Sequence, residues 1–224
     1  VLVEVWSDFV CPWCYIAGSR LRRALATYER ADEVEVEWRS FLLDPAHRRG
    51  VRKGVHEMLT EKTGASPGEV RAMTDRVRAL AAEEGLGYDV ERAVVVNTVD
   101  AHRLYHLAKS HGVADRVHER LMRAHFAEGE LLDDLDTLVR LGAEAGVPEE
   151  AARRALAGDD HARDVKLDVR QARVYGIGGV PFFVLDRTYA VSGAQPVEVL
   201  LSAFRTAHAA ADAAAGTASG TASG

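Results

Sequence analysis

Alternation of apolar and polar residues is clearest over residues 34–43, where Val34, Val36 and Trp38 interleave with Glu35, Glu37 and Arg39. A period of two buries one face of a strand and wets the other, as at a sheet edge. The Val-rich opening, residues 1–6, reads as a short buried strand. Between them, residues 12–30 read as a helix, with Ile16, Leu21 and Leu25 among its apolar positions. Pro12 suits the first helical turn, where its missing N–H is not needed.

The pattern then changes. Over residues 55–175 there is little strand signal and much helix signal. Ser66 with Glu69 three residues later forms a capping box, and Gly85 and Gly87 close the helix it opens. Further helices are expected over 94–111, 113–127, 135–145, 148–157 and 160–175, several stopped by glycine. Strands return at 181–185 and 189–191, around an Asp186-Arg187 turn, and residues 196–211 read as a last helix. Residues 213–224, only Ala, Gly, Thr and Ser, cannot bury a core, and a mobile tail is expected there.

The order is therefore a βαβ unit and a hairpin-plus-helix split by an all-helical block. This predicts an α/β protein with a discontinuous domain, residues 1–48 and 160–212, and an inserted helical domain, residues 49–159.

Composition narrows the function. The 224 residues are 47% hydrophobic and 28% charged, ordinary values for a globular chain. A net charge of −6 argues against nucleic acid as partner. No apolar run approaches the roughly 18 residues of a membrane span. The start, Val1-Leu2-Val3-Glu4-Val5-Trp6, has no basic region and no small-residue cleavage site, so a cytoplasmic location is expected.

Cys11 and Cys14 are the only cysteines. A C-x-x-C at a strand-to-helix junction is a redox motif, because two intervening residues let the sulfurs reach bonding distance within one helical turn. The first cysteine meets unpaired N–H groups and the positive end of the helix dipole, which favour the nucleophilic thiolate. A structural zinc needs four ligands; there is no second Cys pair, and His102 and His106 are the only histidines four apart, so no metal is expected. Gly176-Ile177-Gly178-Gly179-Val180-Pro181 loosely follows a dinucleotide-binding pattern, but it precedes a strand instead of a helix, and that reading fails.

Cys11-Pro12-Trp13-Cys14 together with Gly179-Val180-Pro181-Phe182 resembles the thioredoxin fold, specifically the DsbA-like superfamily with its large helical insertion. The run from Ser7 to Tyr15, with Asn97-Thr98 and Ala101-His102-Arg103-Leu104, is most similar to the FrnE-like DsbA oxidoreductases. The resemblance spans about residues 1–210. It implies that Cys11 is the exposed attacking thiol and Cys14 the buried resolving thiol. It also implies that Val180–Pro181 is a cis bond facing the disulfide, with the Val180 backbone pairing to a substrate strand. Strongly oxidising members carry His within C-P-H-C, where this chain has Trp13. A related branch, the hydroxychromene-carboxylate isomerases and kappa-class glutathione transferases, has Ser at the position of Cys11; both cysteines here favour the redox branch.

Other residues carry weaker expectations. Glu4, in an interior strand, is placed to take the Cys14 proton through water, unless it reaches solvent at the strand end. Asp8 either caps the active-site region or holds a turn. His102 and Arg103 are expected to face the cleft near the disulfide. Trp6 and Trp38 read as core, and Trp13 as an exposed contact residue.

The leading expectation is a thiol–disulfide oxidoreductase working through a mixed disulfide, without metal or organic cofactor, on a protein or small molecule bearing a thiol or disulfide. A homodimer is one admissible assembly. The second expectation is an isomerase or transferase on a small aromatic substrate, using a thiol such as glutathione as co-substrate. The third is a chaperone-like binding module.

Overall fold

The computed structural model describes residues 1–220, with side chains through residue 215. Its central sheet holds β1 (Leu2–Ser7), β2 (Glu35–Ser40), β5 (Phe182–Leu185) and β6 (Tyr189–Ser192) in the order β2-β1-β5-β6. β1 runs parallel to β2 and antiparallel to β5, and β6 is antiparallel to β5. β2 is an edge strand, as its alternation predicts.

Strand parity sorts the two faces. Val3, Val5, Phe183 and Leu185 pack against α1 (Pro12–Thr27) and α9 (Val197–Gly220), through Ile16, Leu21, Leu200 and Phe204. Trp6 and Val184 turn the other way, onto Ala172 of α8 (Ala162–Val174) and onto Ile177. Burying each such side chain contributes roughly 1.5–3 kcal/mol. The Trp6 indole N–H, also buried, donates to the Asp168 carbonyl at 3.1 Å.

The segment between β2 and α8 is mainly helical: α2 (Val55–Thr63), α3 (Pro67–Glu83), α4 (Val99–Ser110), α5 (Ala114–Arg123), α6 (Leu135–Glu144) and α7 (Glu149–Ala157). The Ser66–Glu69 capping box opens α3 as expected. One expectation is corrected here. Residues 94–98 are not helical: Val94–Val95 forms strand β4, paired with β3 (Lys53–Gly54). The β-branched run Val94-Val95-Val96 disfavours helix, and Asn97 ends it by accepting the Val99 N–H and donating to the His47 carbonyl. α2 falls within the helix-rich stretch expected from residue 55, although no separate helix is assigned there from the sequence. α5 also runs on into a wide turn, Ala124–Glu128, with i→i+5 bonding, closed by Gly129 at φ 68°.

The expected mobile tail begins at residue 213. α9 continues through Gly220, and residues 221–224 lie outside the described residues. No helix among the described residues is long and apolar enough to cross a membrane. The architecture is a thioredoxin-like α/β core with a substantial helical insertion.

Candidate active site

α1 begins directly at the cysteine pair. Cys11 is its N-cap, in extended conformation at φ −95° and ψ 109°, and Pro12 fills the first turn. The Cys11 N–H donates to the Asp8 carbonyl at 3.1 Å, and the Cys14 N–H to the Cys11 carbonyl at 3.0 Å. Both cysteines are thiols.

The two thiols have different surroundings. Cys11, expected to be exposed, is buried at 4% exposure because its sulfur sits against the Val180 carbonyl: its Sγ–H donates to that oxygen at 3.5 Å, and the residue still lines a cleft of about 660 Å³. The Val180–Pro181 peptide is cis. Cys14, in the first turn of α1, is fully buried and does not line the cleft. Burial pushes its thiol pKa well above the ordinary value, and the neighbouring Cys11 raises it further. The Asp8 main chain and the Ser7 hydroxyl act in the opposite sense.

The cleft lies between the cysteine pair and the helical insertion. Trp13, 39% exposed, stands at its rim. Tyr88, Phe126 and Met58 form much of the apolar wall, and Lys62 and Arg76 bring positive charge. Among the described residues neither cation has an ion-pair partner. The Tyr88 hydroxyl pKa is pushed up to about 12, by burial and then by Cys11. The wide turn after α5 delivers His125 and Phe126 to this wall. Burial pushes His125 down to about 4, so its imidazole is neutral near pH 7. A second, more polar lobe of about 610 Å³ adjoins the cleft and shares Val10, Leu43, Met58, Lys62 and Val95 with it.

The structure brings together Cys11, Pro12, Trp13 and Val180 at the cleft, with Cys14 and Pro181 directly behind. The weaker candidates divide. Glu4 is fully buried, but its neighbours on β1, Val3 and Val5, face the α1 side on which Cys14 lies. Glu4 therefore faces the opposite side of the sheet, where it pairs with Arg39 at 2.6 Å. Asp8 does not cap α1; its Oδ2 accepts the Leu43 N–H at 2.8 Å and fixes the loop after β2. His102 is buried beside Asp8, 3.5 Å from Oδ1, and against the Phe9 ring instead of in the cleft. Arg103 is turned away from the cysteines. It donates to the carbonyls of Ala155, Leu156 and Gly158 at the end of α7, and to the Asp160 carbonyl. Trp6 and Trp38 are core, Trp38 stacked on His118 at 3.7 Å. His106 bonds Ser40 and Asp168.

Sequence reasoning missed Tyr88, His125, Phe126 and Met58. The sequence's only signal near the wide turn was Gly129, read as a plain helix stop.

A thioredoxin-like sheet with a helix starting on a C-x-x-C pair, and a main-chain carbonyl against the first sulfur, defines a dithiol–disulfide oxidoreductase. The chain belongs to the DSBA-like thioredoxin domain family, whose model matches residues 2–205. A probable DsbA oxidoreductase from Streptomyces coelicolor is 42% identical, with a TM-score of 0.89 over 93% of this chain and 90% of that one. A 2-hydroxychromene-2-carboxylate isomerase shares the fold at 18% identity and a TM-score of 0.70, over 95% of this chain and 98% of its own. The cytosolic disulfide reductase DsbM from Pseudomonas aeruginosa, solved with GSH, shares it at 21% identity and a TM-score of 0.61, over 92% of this chain and 100% of its own. The protein is a thiol–disulfide oxidoreductase that acts through the closely spaced Cys11–Cys14 pair.

Proposed function

We propose that Cys11 is the attacking thiol and Cys14 the resolving thiol, within the FrnE-like branch of the family. The observation that carries this is the asymmetry of the pair: Cys11 opens on the cleft and Cys14 is sealed beneath it. In the oxidising direction a substrate thiolate attacks Cys11 of the disulfide, and Cys14 leaves as thiolate and takes up a proton. A second substrate thiolate then attacks the substrate sulfur of the mixed disulfide and releases Cys11. In the reducing direction the Cys11 thiolate attacks a substrate disulfide, and Cys14 resolves the mixed disulfide. A cytoplasmic setting is supported by the fold shared with a cytosolic disulfide reductase. The packing of α8 against Trp6 supports residues 1–48 and 160–212 as the thioredoxin-like domain and 49–159 as the insertion.

The apolar wall favours a second use of the same thiol. Tyr88, Phe126 and Met58 suit a small aromatic body, and Lys62 and Arg76, without an ion-pair partner among the described residues, suit an anionic thiol such as glutathione. Substitution separates the two readings. Cys11→Ser abolishes exchange, whereas Cys14→Ser accumulates mixed disulfides at Cys11, seen by mass spectrometry. Full disulfide exchange in Cys11→Ser sinks the oxidoreductase reading. Full turnover in Cys14→Ser favours the small-molecule transferase or isomerase.

A further inference from the structure

Cys14 gives up its proton when it resolves a mixed disulfide, and burial opposes the thiolate it becomes. Glu4 lies across the sheet from it. Between the ends of β1 and β2 and helices α4 and α5 is a cavity of about 10 Å³, lined in part by Ser7, His102 and His118; Cys14 does not line it and meets it only through Ser7. All three side chains are at least nine-tenths buried. Each carries a polar atom without a hydrogen-bond partner: Ser7 Oγ, His102 Nε2 and His118 Nε2. Asp8 Oδ1, also without one, lies 3.5 Å from His102 Nε2.

Buried polar atoms are rarely left unpaired, and a cluster of them calls for a shared partner. A volume of roughly 10–15 Å³ admits one water, and such waters make about three hydrogen bonds. Three lining side chains offer that number. Ser7 also approaches the Cys14 sulfur closely enough to favour its charged form.

We propose that one water held by Ser7, His102 and His118 is the route by which the Cys14 proton leaves and returns, with Asp8 orienting His102 and stabilising it when protonated. This rests on the oxidoreductase reading and adds its proton path. During resolution the Cys14 proton passes by Ser7 and the water to His102. The Cys14 thiolate attacks Cys11 Sγ, the Cys11–Cys14 bond forms, and the bond from Cys11 to the substrate sulfur breaks. The substrate leaves as a thiolate, and the proton on His102 returns to it through solvent. Two electrons pass from the dithiol to the substrate disulfide, and no other oxidant is needed. The charged and titratable groups around this route are few. Arg39 of β2 and Tyr105 of α4 line the cavity, Arg22 of α1 acts on His118, and His125 feels Asp8.

The test mixes reduced protein with an aromatic disulfide that releases coloured thionitrobenzoate, followed by stopped flow. Attack by Cys11 gives a first release and resolution by Cys14 a second. Ser7→Ala and His102→Gln are expected to slow the second release on the order of 100-fold near pH 7 and leave the first unchanged. The deficit should shrink as pH rises and hydroxide takes over as acceptor. Glu4→Gln should leave both releases at the wild-type rate. An unchanged second release in both Ser7→Ala and His102→Gln overturns the relay. So does slowing by the same factor at every pH, which marks a structural effect, and so does slowing confined to Glu4→Gln. Absence of the first release in the wild type overturns the oxidoreductase reading itself, and the relay with it.

Discussion

The Cys11 thiol donates to the carbonyl oxygen of Val180, 3.5 Å away and 169 positions along the chain. A hydroxyl at position 11 can make the same donation. Cys11→Ser is therefore expected to keep its stability within about 1 kcal/mol of the reduced wild type while losing all disulfide exchange. Urea denaturation and an insulin-reduction assay measure the two effects. A larger stability loss would mean that the sulfur contributes packing that the hydroxyl cannot replace.

Cys14 sets an alkaline limit on the reduced protein. Its folded pKa lies well above the ordinary 9.0 because the thiol is buried. Above that ordinary value the unfolded chain has released the proton and the folded chain still holds it. The unfolded state then binds fewer protons, so stability falls as pH rises, by about 1.4 kcal/mol per pH unit. Below pH 9.0 both states hold the proton and the effect vanishes. Cys14→Ala should flatten this alkaline limb relative to the reduced wild type, read from denaturant midpoints. Cys14, fully buried and away from the cleft, stays unmodified by iodoacetamide at pH 8 in the folded protein, while Cys11, which lines the cleft, reacts.

Arg103 stood among the sequence candidates beside His102, but its contacts give it structural work. Its guanidinium gathers carbonyls at the C-terminal end of α7, where the helix dipole is negative, and pairs with Asp100 at 2.8 Å. Removing a buried charged donor leaves those acceptors unpaired. Arg103→Leu is expected to cost roughly 2–4 kcal/mol of stability, seen in thermal and urea melts, with no change in the rate of Cys11 attack. A change in that rate with stability intact would return Arg103 to the active site.

Local chemistry explains which features were legible. The C-x-x-C after a Val-rich strand, Pro12 in the first turn, and the Ser66–Glu69 box each act within a few residues, and each appears where the sequence puts it. The α/β core split by a helical block follows from strand alternation, helix caps and glycine stops, all of them local signals. What stayed hidden depends on distant parts of the chain. Val94–Val95 forms a strand only because Lys53–Gly54 is there to pair with it. The side of the sheet that Glu4 faces depends on where α1 docks. The cleft wall at Tyr88 and Phe126 comes from the insertion folding back over α1, where Phe126 stacks on Tyr15 at 5.1 Å.

Two cations at the cleft, without an ion-pair partner among the described residues, make substrate charge a measurable preference. Lys62 lies where the apolar and polar lobes meet, and Arg76 lies on the apolar lobe. Both are exposed, so each acts through screened electrostatics instead of a fixed ion pair. Reversing one charge removes an attraction and adds a repulsion, worth a few-fold in kcat/KM for an anionic disulfide. Lys62→Glu with Arg76→Glu is expected to lower kcat/KM for glutathione disulfide on the order of tenfold. The value for uncharged hydroxyethyl disulfide should hold, since Cys11 and Cys14 are untouched. Raising the ionic strength should shrink the wild-type preference toward that of the double variant, because salt screens exposed charges. An equal fall for both disulfides would show instead that the two side chains shape the cleft.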